Sequence, residues 1–370
     1  MTATSQCGDN AAGTVTPAAA RAEFDAELTY LDTATMGLPP RRSWLALHQA
    51  LAEWRAGTAD AAGYDRPLAK ARRSYARLVG VPPSAVAVGS QVSVFAGLIA
   101  ANLSAGSEVL TATGDFTSVL FPFLAQSARG VKVREVPLER VADSMTPHTA
   151  LVAVSAVQSA DGRVVDLDAL HAASEATRTK VLLDTTQAVG WLPVDASRFA
   201  YTACGGYKWL LSPRGTAYFT LRPELIDDLV PHTAGWYAGQ SPWTSIYGGP
   251  LRLAADARRF DVSPAWHAWV AAGPAVRLLT QVGTQALYRH ALGLANRFRA
   301  GVGLEPGNSA IVSLAVDDGT TAAMAAARIA GSARAGRLRL SFHISTSEAD
   351  VDRAIDILCP HILPGHRAPR

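Results

Sequence analysis

Cysteine is scarce in this chain. Cys7, Cys204 and Cys359 are the three in 370 residues, an odd number at wide spacing with no C-x-x-C pair, which excludes a disulfide framework and a zinc or redox pair of that pattern. A reducing cytoplasm is the expected compartment, and no metal site is expected. Charge of one sign is equally lacking: the net charge is +3, with Lys and Arg scattered, so there is no basic stripe for nucleic acid. No apolar run reaches the ~18 to 20 residues that span a bilayer; residues 92–103 come nearest and contain Ser, Gly and Asn. Residues 1–24 lack the basic start and apolar stretch of a secretory signal. They read as a flexible arm too short for a helix-turn-helix, which argues against a DNA-binding regulator. No G-x-G-x-x-G follows the first strand, which argues against a Rossmann nucleotide binder.

What is present is a large soluble α/β pattern, 49% hydrophobic and 18% charged, long enough for one large unit or two domains. Expected strands at residues 85–88, 108–112, 131–136, 150–155 and 181–183 alternate with expected helices at 92–103, 118–128 and 166–176. Strands separated by helices imply right-handed crossovers and a mostly parallel sheet covered on both faces. Ligands of such sheets bind at the carboxyl ends of the strands, where Gly89-Ser90, Gly114-Asp115-Phe116 and Asp184 fall. Upstream, Trp44, Leu47, Leu51 and Trp54 recur at helical spacing and are expected in the core. Residues 232–250 are rich in Gly, Trp, Tyr and Pro and read as a long irregular segment. A helical region from 266 to about 298 and a small α/β lobe from about 310 to 358 complete the chain. The expected organisation is an arm (1–24), an N-terminal segment packing with the small domain (25–60), a large cofactor domain (61–235), and a connecting segment with a small C-terminal domain (236–370).

Chemistry concentrates between residues 180 and 220. Asp184 ends a buried-looking strand, and 24 residues later Lys208 stands in a Gly205-Gly206-Tyr207-Lys208-Trp209 turn running to Pro213-Arg214-Gly215. A carboxylate and a lysine so disposed suit pyridoxal phosphate (PLP), whose aldehyde a lysine binds and whose pyridine nitrogen an acid keeps protonated. The D-x-x-Q and Y-K-W-x-x-x-P-x-G motifs resemble the class V aminotransferase and cysteine desulfurase group, as does Tyr30-Leu31-Asp32 leading to Gly37 and Pro40. The resemblance implies a fold-type I PLP enzyme, α/β, with a seven-stranded type of sheet and a small α/β C-terminal domain.

The resemblance also implies roles. Lys208 is the Schiff-base lysine, Asp184 the partner of the pyridine nitrogen, and Gln187 a partner of the phenolic oxygen. Ser159, or Gln158 in its stead, lies near the same oxygen. Phe116 takes the stacking position, and the Ser90-Gln91-Val92 turn opening a helix offers backbone N–H groups to the phosphate. Gly205 and Tyr207 replace the usual Ser and His around the lysine, with the Tyr207 hydroxyl a candidate phosphate donor. Arg339, in an R-x-S sequence, matches the arginine that binds a substrate α-carboxylate. Ser263 matches a residue that reaches the phosphate of the other subunit in a homodimer whose sites are shared across the interface. The region where desulfurases carry a nucleophilic cysteine, residues 329–338, reads IAGSARAGRL without one. Elimination at Cβ of an S-substituted cysteine, in thiol or secondary-metabolite biosynthesis, is therefore the favoured reaction; transamination, epimerisation and decarboxylation-coupled oxidative deamination use the same residues. A PLP-binding protein without turnover is a further reading.

Overall fold

Seven strands, most of them buried on both faces, form the central sheet of the computed structural model, which describes residues 14–363. They are β2 (Val86–Gly89), β3 (Glu108–Ala112), β4 (Lys132–Val136), β5 (Thr149–Ser155), β6 (Lys180–Asp184), β7 (Tyr201–Gly205) and β8 (Ala217–Leu221); a short β1 (Thr29–Tyr30) precedes them. Their order is β2-β8-β7-β6-β5-β3-β4. Strands β7, β6, β5, β3 and β4 pair in parallel, whereas β8 is antiparallel to both its neighbours. Since β2 and β7 both oppose β8, six of the seven point the same way and share one carboxyl edge.

Helices cover both faces because alternate side chains of each strand are apolar on both sides. Before the sheet lie α1 (Pro17–Arg21), α2 (Arg41–Ala56) and α3 (Asp65–Leu78); within it run α4 (Val92–Asn102), α5 (Thr117–Leu124) and α6 (Leu167–Thr177); α7 (Trp266–Val282) and α8 (Thr284–Gly301) follow. On one face Val86, Val88, Leu110 and Leu183 pack with Tyr75 of α3 and Trp269 of α7. On the other, Ala87, Val109, Leu182 and Phe219 pack with Phe95 of α4 and Phe123 of α5. The expected single helical stretch from 266 to 298 is two helices, broken at Gly283, whose φ of 86° belongs to the left-handed region.

The C-terminal lobe contains β9 (Ile311–Leu314), α9 (Thr320–Ala326), β10 (Ile329–Ala330), β11 (Ser332–Arg334), β12 (Arg337–Ser341) and α10 (Glu348–Leu358). Its antiparallel sheet β11-β12-β9 is backed by α8 and α10, and Ser347 with Asp350 forms a capping box at the start of α10. The N-terminal segment joins this lobe: β1 pairs with β10, and Asp32 bridges to Ser341.

Two expectations are corrected here. The expected flexible arm of residues 1–24 falls partly outside the described residues, and its later part is structured: Thr16 caps α1, Ala20 is buried and Val15 bonds to Gln281. The stripe of Trp44, Leu51 and Trp54 is not core, these residues being 54%, 41% and 64% exposed. Periodicity identified a face of α2 without saying which face is covered. The covered one carries Ser43, Ala46 and Ala50, small residues that let α7 approach closely.

Candidate active site

The carboxyl edge of the sheet opens on a cavity of about 270 Å³, near the lower end of the range for small-molecule sites. Ser90, Gln91 and Val92 line it from the turn after β2, Phe116 from the turn after β3, and Ser159 from the loop after β5. Asp184 and Gln187 enter from the end of β6, Tyr207 and Lys208 from the loop after β7, and Arg214 to Thr216 from the approach to β8. The turns that the sequence brings to strand ends therefore converge.

Asp184 is 4% exposed and accepts the Thr186 backbone N–H at 2.8 Å. Burial pushes its carboxyl up to about 6, although the Thr186 bonds and the nearby Lys208 charge oppose that rise. Lys208 is 5% exposed, and burial pushes its amine down to about 8 against the attraction of Asp184. Its Nζ stands 5.2 Å from the Phe116 ring centroid and 5.6 Å from that of Tyr207, so the cation lies among π faces. Asp115 sets Phe116 in place: its carboxylate accepts the Phe116 N–H at 2.6 Å and the Ser155 N–H at 2.8 Å.

The lysine loop is gripped from three sides. Gly37 donates its N–H to Tyr207 O at 2.9 Å, and only a glycine fits there, because a Cβ would sit 2.1 Å from the Lys208 carbonyl oxygen. His343, fully buried and held neutral by burial, which pushes it down to about 4, lies with Nε2 2.9 Å from Trp209 O. Trp209 Nε1 donates to Gln187 Oε1 at 2.7 Å. That bond fixes the amide orientation of Gln187, whose Nε2 donates to Ser159 Oγ and to Ala34 O, each at 3.0 Å.

Ser159, rather than Gln158, reaches the cavity. Behind it lies Arg339, 1% exposed, donating to Ser159 O at 2.6 Å, Ser159 Oγ at 3.1 Å and Thr35 Oγ1 at 2.7 Å. Its nearest carboxylate is Asp32 at 3.7 Å, and burial pushes the guanidinium down to about 10. Ser263 is exposed and does not line this chain's own cavity. Its segment is nevertheless fastened beside the cavity, since Val262 N–H bonds to Val88 O at 3.2 Å and Asp261 accepts the Val88 N–H at 2.7 Å. Asp261 in turn pairs with the buried Arg72 at 2.6 Å, and Arg72 also donates to Val86 O. Arg72, His343 and Thr35 escaped sequence reasoning, since they act through register between distant segments; Asp115 and Arg214 were visible in the Gly114-Asp115-Phe116 strand end and the Pro213-Arg214-Gly215 motif, but their contacts were not.

Among the described residues Asp184 makes no ion pair, and a buried acid of that kind, a buried amine with a lowered pKa and the first turn of a helix at one cavity suit PLP. The donor set fits: a pyridinium would restore the charge that burial removes from Asp184, and an aldehyde would take the Lys208 amine. The chain belongs to the class V aminotransferase family, whose profile, Aminotransferase class-V, matches residues 64–312. It is a PLP-dependent enzyme.

The chain is 30% identical over 230 residues to the uncharacterized aminotransferase YcbU of Bacillus subtilis, covering 60% of each chain. Isopenicillin N epimerase of Streptomyces clavuligerus is 25% identical over 336 residues, 78% of this chain and 83% of that one. Kynureninase of Deinococcus radiodurans is 30% identical over 298 residues, 75% of this chain and 72% of that one. Among solved structures, the cystine C-S lyase C-DES in complex with its reaction product cysteine persulfide superposes with a TM-score of 0.81 at 21% identity, covering 91% of this chain and 98% of that one. That likeness concerns the fold, which is fold type I, α/β. Among the described residues no helix is long and apolar enough to cross a membrane.

Proposed function

We propose that the enzyme releases a thiol by β-elimination from an S-substituted cysteine, with pyruvate and ammonia as the other products. The observation that carries this reading is the thiol inventory near the cavity. Cys204 is fully buried, its Sγ 3.7 Å from Thr185 O and Gly205 O, and burial pushes it up to about 12, so it is no nucleophile. The β11–β12 hairpin offers Ser332 and Arg334 where a persulfide-forming enzyme needs a thiolate. The C-S lyase with the same fold supports the choice.

Bound PLP supplies an electron sink for the bond broken at Cα. Lys208 would hold the aldehyde until the substrate amine displaces it; its freed amine, which burial brings down to about 8, then takes the proton from the substrate Cα and gives it to the sulfur that leaves Cβ with the C–S electron pair. Asp184 holds the pyridine nitrogen protonated through a charge-assisted contact. Gln187 and Ser159 would hold the phenolic oxygen, Phe116 would stack on the ring, and Ser90 to Val92 would receive the phosphate. Arg339 takes the substrate α-carboxylate, exchanging its bonds to the Ser159 and Thr35 hydroxyls for a bidentate pair. The exposed Trp44, Leu45, Leu51 and Trp54 of α2 support a homodimer, with Ser263 of one copy serving the other's site.

The match to isopenicillin N epimerase along most of its length favours epimerisation as the second reading. Purified enzyme is incubated with S-conjugated cysteines and scored for pyruvate and free thiol. Neither product, with inversion at Cα instead, refutes the lyase. Lys208→Ala is expected to abolish the borohydride-reducible adduct in either case.

A further inference from the structure

Around the lysine, Gly205 offers a phosphate no side-chain donor and Tyr207 offers a neutral phenol, so neither supplies a positive charge. The two go together sterically: a Cβ on Gly205 would lie 3.3 Å from the Tyr207 ring and 3.3 Å from Thr186, so a longer side chain at 205 competes with the ring. The phosphate dianion therefore needs another counter-charge.

Strand register brings one. Gly89 of β2 and Gly205 of β7 both pair with Ala217, the first residue of β8, and Gly206 N–H bonds to Thr216 O at 2.8 Å. The residues just before β8 thus run alongside the Ser90-Gln91-Val92 turn, and Arg214 lines the same cavity as that turn. Its guanidinium carbon lies 4.6 Å from the Tyr207 ring centroid, a stacking that holds the cation over the cavity rim. Among the described residues Arg214 makes no ion pair with a carboxylate. The first turn of α4 beside it is also uncapped: the Gln91 side chain makes no capping bond to it and no acidic residue stands in it, and although the Val94 N–H bonds to Gln91 O at 3.2 Å, the Val92 and Ser93 N–H groups point to an anion at that end. Tyr207 remains a phenol, because burial raises its pKa, and so offers an O–H donor.

We propose that Arg214 is the cation that grips the cofactor phosphate in this chain, closing an anion site with the open N-terminus of α4 and the Tyr207 hydroxyl. This rests on the cofactor lying with its pyridine nitrogen at Asp184. Arg214 is exposed and its loss removes no buried contact, so the variants fold.

The test separates phosphate from ring. Apo-protein of wild type, Arg214→Gln and Arg214→Lys is titrated with PLP and with pyridoxal, which lacks the phosphate, and binding is read from visible absorbance and borohydride trapping. Arg214→Gln is expected to weaken PLP about 10- to 100-fold, as for loss of a charged hydrogen bond, while pyridoxal affinity stays within about twofold; Arg214→Lys falls between. PLP affinity unchanged by Arg214→Gln, or lost in step with pyridoxal, overturns the proposal. Wild type that takes up neither aldehyde overturns the cofactor reading beneath it, and this proposal with it.

Discussion

Gly37→Ala is a one-methyl perturbation far in sequence from Lys208 that tests whether the N-terminal segment sets the lysine. The new Cβ would lie 2.1 Å from the Lys208 carbonyl oxygen, 2.9 Å from Leu211 Cδ2 and 3.1 Å from Leu211 Cα. A carbon approaches a carbonyl oxygen no closer than about 3.3 Å in favourable contacts, so the two segments must part by roughly 1 Å. Two of the three obstructing atoms belong to the backbone and cannot rotate away. Overpacking of this kind costs about 1–3 kcal/mol, and stretching the Gly37 to Tyr207 bond adds about 1 kcal/mol. We expect a destabilisation of about 2–4 kcal/mol. A displacement of that size at a reacting group lowers the rate about 100-fold. Thermal denaturation reads the first quantity, and cofactor-dependent turnover with the rate of borohydride trapping reads the second. A variant that melts and turns over like wild type refutes the idea that Gly37 and the lysine loop are in fixed contact.

Asp184→Asn keeps the shape of the acid without its charge; it is expected to retain bound cofactor, shift its visible spectrum and lower turnover by about 100- to 1,000-fold. Arg72→Met leaves the Asp261 carboxylate buried without its cation and is expected to destabilise by about 3–5 kcal/mol, with most of the loss recovered in Arg72→Met/Asp261→Leu; denaturant midpoints decide. In the cofactor-free enzyme, Asp184 titrates at about 6 instead of 3.8, so the native state holds a proton that the unfolded chain has released, and stability falls as pH rises across that window. Lys208 titrates at about 8 instead of 10.5, so there the unfolded chain holds the extra proton and stability rises with pH. The difference in melting temperature between this enzyme and Lys208→Met/Asp184→Asn should therefore be least favourable to wild type between about pH 6 and 8; a flat difference contradicts it.

The acid, the lysine and the alternation of strands with helices are legible in the chain because each rests on local spacing. β7 and β8 were not anticipated: they flank the lysine loop with no helix between them, so the alternation that revealed the other strands is absent, and their antiparallel pairing is a tertiary fact. Helical spacing in α2 found a face but could not tell a covered face from an uncovered one, and the covered face proved to be the one with small residues. Arg339 was found through its R-x-S sequence, but not its burial behind Ser159 and Thr35. Arg72 gave no local signal, since its partner is 189 positions away.

The Arg72–Asp261 pair has a consequence outside catalysis. β2 is the outermost strand on its side of the sheet, and a bare outer strand exposes a row of backbone groups on which another chain can add itself. Here Val86 O, Val88 N–H and Val88 O are taken by a guanidinium, a carboxylate and the Val262 N–H. Side chains and a single peptide thus stand in for an eighth strand. The sheet is closed to self-templating on the flank that carries its ligand turn, so the protein keeps that flank open to a small molecule without inviting fibre-like growth.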